Sequence, residues 1–152
     1  MADIDAGAGT FGRVTHSLAE IAQPFAALYR AFWSLESLPA QTLELCRLRQ
    51  AQLLGSDLAW RHEQLGLSAQ QREELRNWPR SLVYSDAERA CLELTEVHTM
   101  DARAITDAQA DAVKRHYGDV GLVALVQALG VFDALTRLGL IWDLETLELN
   151  ES

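Results

Sequence analysis

The chain has 152 residues, enough for one domain with a sizeable core, and 49% of them are hydrophobic against 23% charged. Asp and Glu outnumber Lys and Arg by 22 to 13, giving a net charge of −9. With no Lys/Arg cluster, that balance argues against nucleic acid and anionic membrane as partners.

The opening residues, MADIDAGAGTFGRVTH, have neither a basic start nor an apolar core. They do not read as a secretory signal, and a cytoplasmic location is expected. Residues 1–15 are small and Gly-rich and are expected to form a tail, with a single domain over 16–152. Only three prolines and nine glycines punctuate the chain, and β-branched residues never cluster, so the fold class reads as all-α.

A first helix is predicted over about 17–35, with Pro24 marking a break or a restart. In SLPAQTLELCRLRQAQLLG, Ser37 is a possible N-cap, Pro39 suits a first turn, and Gly55 can end the helix. A short helix over about 57–65 follows, closed by Gly66. LSAQQREELRNWP starts another, capped by Ser68 and stopped at Pro79. Ser85 and Glu88 form a capping box for the next. A further helix runs from Thr106 to Gly118, and Asp119 opens the longest, to about residue 143.

That last helix is apolar on nearly every side over 120–142, so it is predicted to be buried, centrally or against another subunit. Gln127, Asp133 and Arg137 interrupt it, which argues against a membrane span. Asp133 and Arg137 are four apart and can pair on one face. So apolar a helix in so short a chain predicts a homo-oligomer.

Glu44 falls beside Leu48, Ala51 and Gly55 on its helix rather than on a polar stripe. A carboxylate there needs a partner, either a catalytic one or a neighbouring arginine such as Arg47. A turn at Gly55 brings residues 62 and 63 back toward Glu44. His62 and Glu63 are adjacent, about 100° apart on a helix, so only one of them is expected to face the same cleft.

HEQLG is half of a zinc motif, with glycine where the second His belongs. Glu44, His62, Glu63 and His98 lack metal-ligand spacing, so no metal is expected. Ser56 reads as the cap of the following helix. Cys46 and Cys91 lie far apart, form no motif, and read as buried reduced thiols.

The run from about 24 to 142 resembles the carboxymuconolactone decarboxylase family, which includes the alkylhydroperoxidase D (AhpD) proteins. The stretches that carry the resemblance are LSAQQREELRNWPRS, SDAERACLELTEVHT and LVALVQALGVFDALTRL, in that order. The resemblance implies an oligomeric helical bundle of the AhpD-like type. Glu44 matches the family's inward Glu. Ser56 and Ala59 stand where its Cys-x-x-Cys pair would be, and Glu63 stands at its His position with His62 just before.

Three functions follow from the resemblance. The first is a carboxy-lyase without a cofactor, with Glu44 and His62 or Glu63 moving protons on a small carboxylated ring or lactone. Arg61, Arg47 or Arg137 would hold the carboxylate, and Ser56, Trp60 and His98 would line the pocket. The second is a non-catalytic oligomer that binds a small molecule. The third, a thiol peroxidase, is disfavoured because a serine hydroxyl has no thiolate or sulfenic-acid chemistry.

Overall fold

The computed structural model describes residues 19–147. The expected tail at 1–15 lies outside them. Six α-helices and two 3-10 turns follow one another, and no strand occurs among the described residues. The helices are α1 Ala19–Phe32, α2 Ala40–Leu54, α3 Asp57–Arg61, α4 Ala69–Glu74, α5 Asp86–Asp101 and α6 Asp107–Ile141. The 3-10 turns are Leu75–Arg80 and Ala102–Ala104.

Local signals set most of the helix starts. Ser68, Ser85 and Thr106 each accept a hydrogen bond from the third residue of their helix, and Gln71, Glu88 and Gln109 bond back to the cap's amide. Gly55 ends α2 in the left-handed region at φ 67°, the conformation a helix-ending glycine adopts at least cost. Three expected boundaries move. Pro24 lies inside α1 rather than breaking it. Pro39, not Ser37, is the N-cap of α2 and makes no side-chain cap bond. The 57–65 helix stops at Arg61, and His62 is extended.

The core forms where α2, α5 and α6 pack on one another, with α1 laid across α6. Leu43, Cys46, Leu94, Leu125, Leu129 and Phe132 share one buried cluster. Tyr29 of α1 and Trp33 just past its end meet Phe132 edge-on and stacked, with ring centroids 5.9 and 5.3 Å away. A second cluster, around Leu45, Leu48, Leu75 and Trp78, roofs the other side of α2. Because α2 is covered on both sides, its whole middle from Thr42 to Leu48 is buried, polar residues included.

Helix α6 is one run with a kink. Gly118 sits at φ 68° and ψ −176°, a region that is essentially glycine-only, so the predicted stop at Gly118 is a kink between two helical stretches. Beyond it, Leu125, Leu129, Phe132 and Leu135 face the core, while Val120, Val123 and Ile141 are exposed.

Candidate functional site

The inward-facing middle of α2 places Glu44 in the protein interior with no exposure at all. One helical turn later, Arg47 is 3% exposed. The guanidinium meets the carboxylate as a fork: Nε donates to Oε2 at 2.8 Å and Nη2 to Oε1 at 2.7 Å. Nη1 donates to the carbonyl of Ala59 at 2.8 Å, and Nη2 also reaches the carbonyl of His62. Glu44 Oε1 in turn accepts the amide of Gln64 at 3.1 Å.

The pair therefore staples the whole 59–64 segment to α2. It also meets α3 at its end. In a longer helix the Ala59 carbonyl would accept the amide of Glu63; here it accepts from Arg47 instead, where the helix ends. Tyr29 closes this cluster from α1, its hydroxyl donating to Gln64 Oε1 at 3.3 Å. Burial pushes the Tyr29 phenol up to about 12, the nearby Arg47 opposing and Glu44 adding to the rise.

Glu44 is buried as expected, but the three catalytic candidates are not gathered around one pocket. The His62 carbonyl joins the Glu44 cluster by accepting from Arg47. The Glu63 side chain is 56% exposed and pairs with Arg72 at 3.1 Å. Arg72 also covers the Trp60 ring, 4.6 Å from its centroid, and donates to the Trp60 carbonyl at 2.8 Å. Trp60 thus packs between the two core clusters and under an arginine.

Ser56 is the N-cap of α3, its Oγ accepting the amide of Ala59 at 3.1 Å. His98 sits on α5, half-buried, with Nδ1 buried and without a hydrogen-bond partner. Burial lowers its pKa, and Asp133 works against that shift. Among the described residues, no three His, Cys, Asp or Glu side chains converge on a metal-sized site.

The side chains of His62 and Arg61 line a different space. Together with Leu58, Glu145, Thr146 and Leu147 they form an open cleft of about 240 Å³. Thr146 Oγ1, at its edge, is buried and has no hydrogen-bond partner. A larger opening of about 430 Å³ lies between α5 and α6. Its charges are mixed, Asp86 and Glu93 facing Arg89, Arg115 and His116.

Sequence reasoning singled out Glu44 and the stretch that packs on it but missed Tyr29 and Gln64, which carry no motif. It named Arg47 only as one possible neighbour of Glu44; their three-residue spacing on a helix was the available signal. Both cysteines are free and fully buried. Burial pushes the Cys46 thiol up to about 12 and raises that of Cys91 as well.

No family model and no curated protein matches the sequence. The architecture does match a crystal structure of an Agrobacterium tumefaciens protein of unknown function, ATU0492, for which an AhpD-type role in antioxidant defence has been suggested. The two superpose with a TM-score of 0.74 over 93% of this chain and 98% of that one, at 19% sequence identity. The fold is AhpD-like. At that identity the likeness concerns architecture, so the chemistry of this AhpD-like chain has to be read from its own side chains. At the two positions where the resemblance expects cysteines, Ser56 caps a helix and Ala59 is packed in the core.

Proposed function

We propose that this AhpD-like chain is a non-redox protein that binds a small carboxylated molecule in the cleft beside His62, with Arg61 as the anion's partner. One observation carries the reading: Arg47 engages both Glu44 oxygens, and the backbone amide of Gln64 donates to one of them as well. A carboxylate held in that way is a structural anchor and is poorly placed to shuttle protons to a substrate. The cleft, by contrast, combines a guanidinium, an imidazole, a hydroxyl, one carboxylate from Glu145 and apolar walls from Leu58 and Leu147. Its small volume suits a ligand of a single ring.

A second reading is favoured by the imidazole itself. An imidazole can donate or accept a proton, and His62 stands beside Arg61 in the cleft. With a carboxylated lactone held by Arg61, the C–C bond to the carboxylate would break, carbon dioxide would leave, and the electron pair left on the ring would take a proton from His62, which is carboxy-lyase chemistry.

The test is calorimetric titration of the full chain with single-ring carboxylates and carboxylated lactones, with carbon dioxide release followed in parallel. The binding reading expects affinity that falls at least about tenfold in Arg61→Ala and His62→Gln, with no product. The enzymatic reading expects product that disappears in His62→Gln. Affinity that persists in both variants would place the ligand elsewhere and overturn both readings.

A further inference from the structure

One group of the cleft has no task in the reading above. Glu145 brings a carboxylate to the same space as the Arg61 guanidinium. Separate segments carry the two: Arg61 is the last residue of α3, and Glu145 follows α6. Arg61 Nε donates to its own helix, to the carbonyl of Asp57 at 3.4 Å, which leaves the terminal nitrogens unengaged among the described residues. Neither Arg61 nor Glu145 enters an ion pair among those residues. Opposite charges thus share one cleft without neutralising each other.

The floor between them is apolar and held by a close approach. Leu58 lies one turn before Arg61, and Leu147 two residues after Glu145. Both rest on Gly139 of α6, where an added Cβ would stand 3.6 Å from Leu58 Cδ2 and 3.1 Å from Leu147 Cδ2. The glycine lets the two charge-bearing segments settle on one surface. Thr146, next to Glu145, keeps its Oγ1 buried and without a hydrogen-bond partner.

Building on the carboxylate reading, we infer that the ligand of this cleft is a zwitterion, a single-ring compound with its carboxylate on Arg61 and a cationic nitrogen on Glu145. Charge decides it. A plain carboxylate meets Glu145 as a like charge, and a plain amine meets Arg61. A second carboxylate across the ring faces Glu145 directly, which builds rejection of dicarboxylates into the site. A zwitterion has no net charge, so a chain that carries −9 does not repel it. The ring lies on Leu58 and Leu147. A cleft of about 240 Å³ holds little more, since drug-sized ligands fill roughly 300–1,000 Å³.

The test titrates three ring compounds calorimetrically into the full chain at low ionic strength. Isonipecotate has an ammonium nitrogen opposite its carboxylate. Cyclohexanecarboxylate has the same shape without the nitrogen, and the matching cyclohexane dicarboxylate puts a second carboxylate in the nitrogen's place. Isonipecotate should bind at least about fivefold tighter than cyclohexanecarboxylate, with the dicarboxylate weakest. Glu145→Gln, at an exposed position, should weaken isonipecotate about threefold or more and tighten both carboxylates, so that the preference is lost. Cyclohexanecarboxylate binding as tightly as isonipecotate, or a preference that survives Glu145→Gln, would overturn the zwitterion and leave a carboxylate at Arg61 standing. Binding of none of the three, or binding indifferent to Arg61→Ala, would remove both.

Discussion

Arg47 holds Glu44 through two parallel hydrogen bonds, at 2.8 and 2.7 Å, with both side chains buried. Neither charge has water to fall back on. Removing one partner leaves the other buried and uncompensated, at a cost of about 3–5 kcal/mol. Arg47→Met is therefore expected to lower unfolding free energy by that order in urea denaturation. Adding Glu44→Gln removes the stranded charge, so the double variant should recover about 0.5–3 kcal/mol relative to the sum of the singles. Additive losses would show that the pair is not coupled.

The chain is expected not to turn over organic hydroperoxides with a dithiol reductant. Ser56 and Ala59 provide no thiol, and burial holds both native thiols above the range in which a thiolate forms near neutral pH. A thiol-labelling assay at pH 8 should find Cys46 and Cys91 unreactive in the folded chain and both reactive in denaturant. Robust peroxidase turnover lost in Cys46→Ser or Cys91→Ser would contradict this.

The bend in α6 depends on Gly118, whose φ of 68° and ψ of −176° suit only glycine. Gly118→Ala should destabilise by about 1–3 kcal/mol, although a methyl group there would meet nothing within 4 Å. The loss is backbone strain rather than a clash. Thermal unfolding is the measurement, and an unchanged melting temperature would show that the bend can be straightened without cost.

His98 gives the stability a pH dependence of known sign. Burial lowers its folded pKa below the unfolded value, so the unfolded chain binds the proton more readily. Its contribution is fully present above the unfolded pKa of about 6.5 and is lost as pH falls toward the folded pKa. His98→Gln should flatten the stability curve below about pH 6.5 and leave it unchanged above. A variant whose curve keeps the wild-type slope in that window would assign the dependence to other groups.

What the sequence by itself determined is what is written within one or two helical turns. Ser68, Ser85 and Thr106 start helices because the atoms they satisfy lie three residues away. Asp133 and Arg137 pair because a helix puts residues four apart on one side. The all-α class and the capping role of Ser56 were legible for the same reason. The tertiary structure decided matters of competition between distant partners. Glu44 needed a counterpart from the start, but only the packed chain made that counterpart Arg47, with Gln64 beside it, rather than an imidazole. The Ala59 carbonyl went to Arg47 of another helix where α3 ends at Arg61, and the His62 side chain lines the cleft with residues 145–147. Nor could composition say which side of α6 would be covered, since valine and leucine occur all around it. The core took the Leu125–Phe132 side because α1, α2 and α5 pack there, and left Val123 and Ile141 exposed.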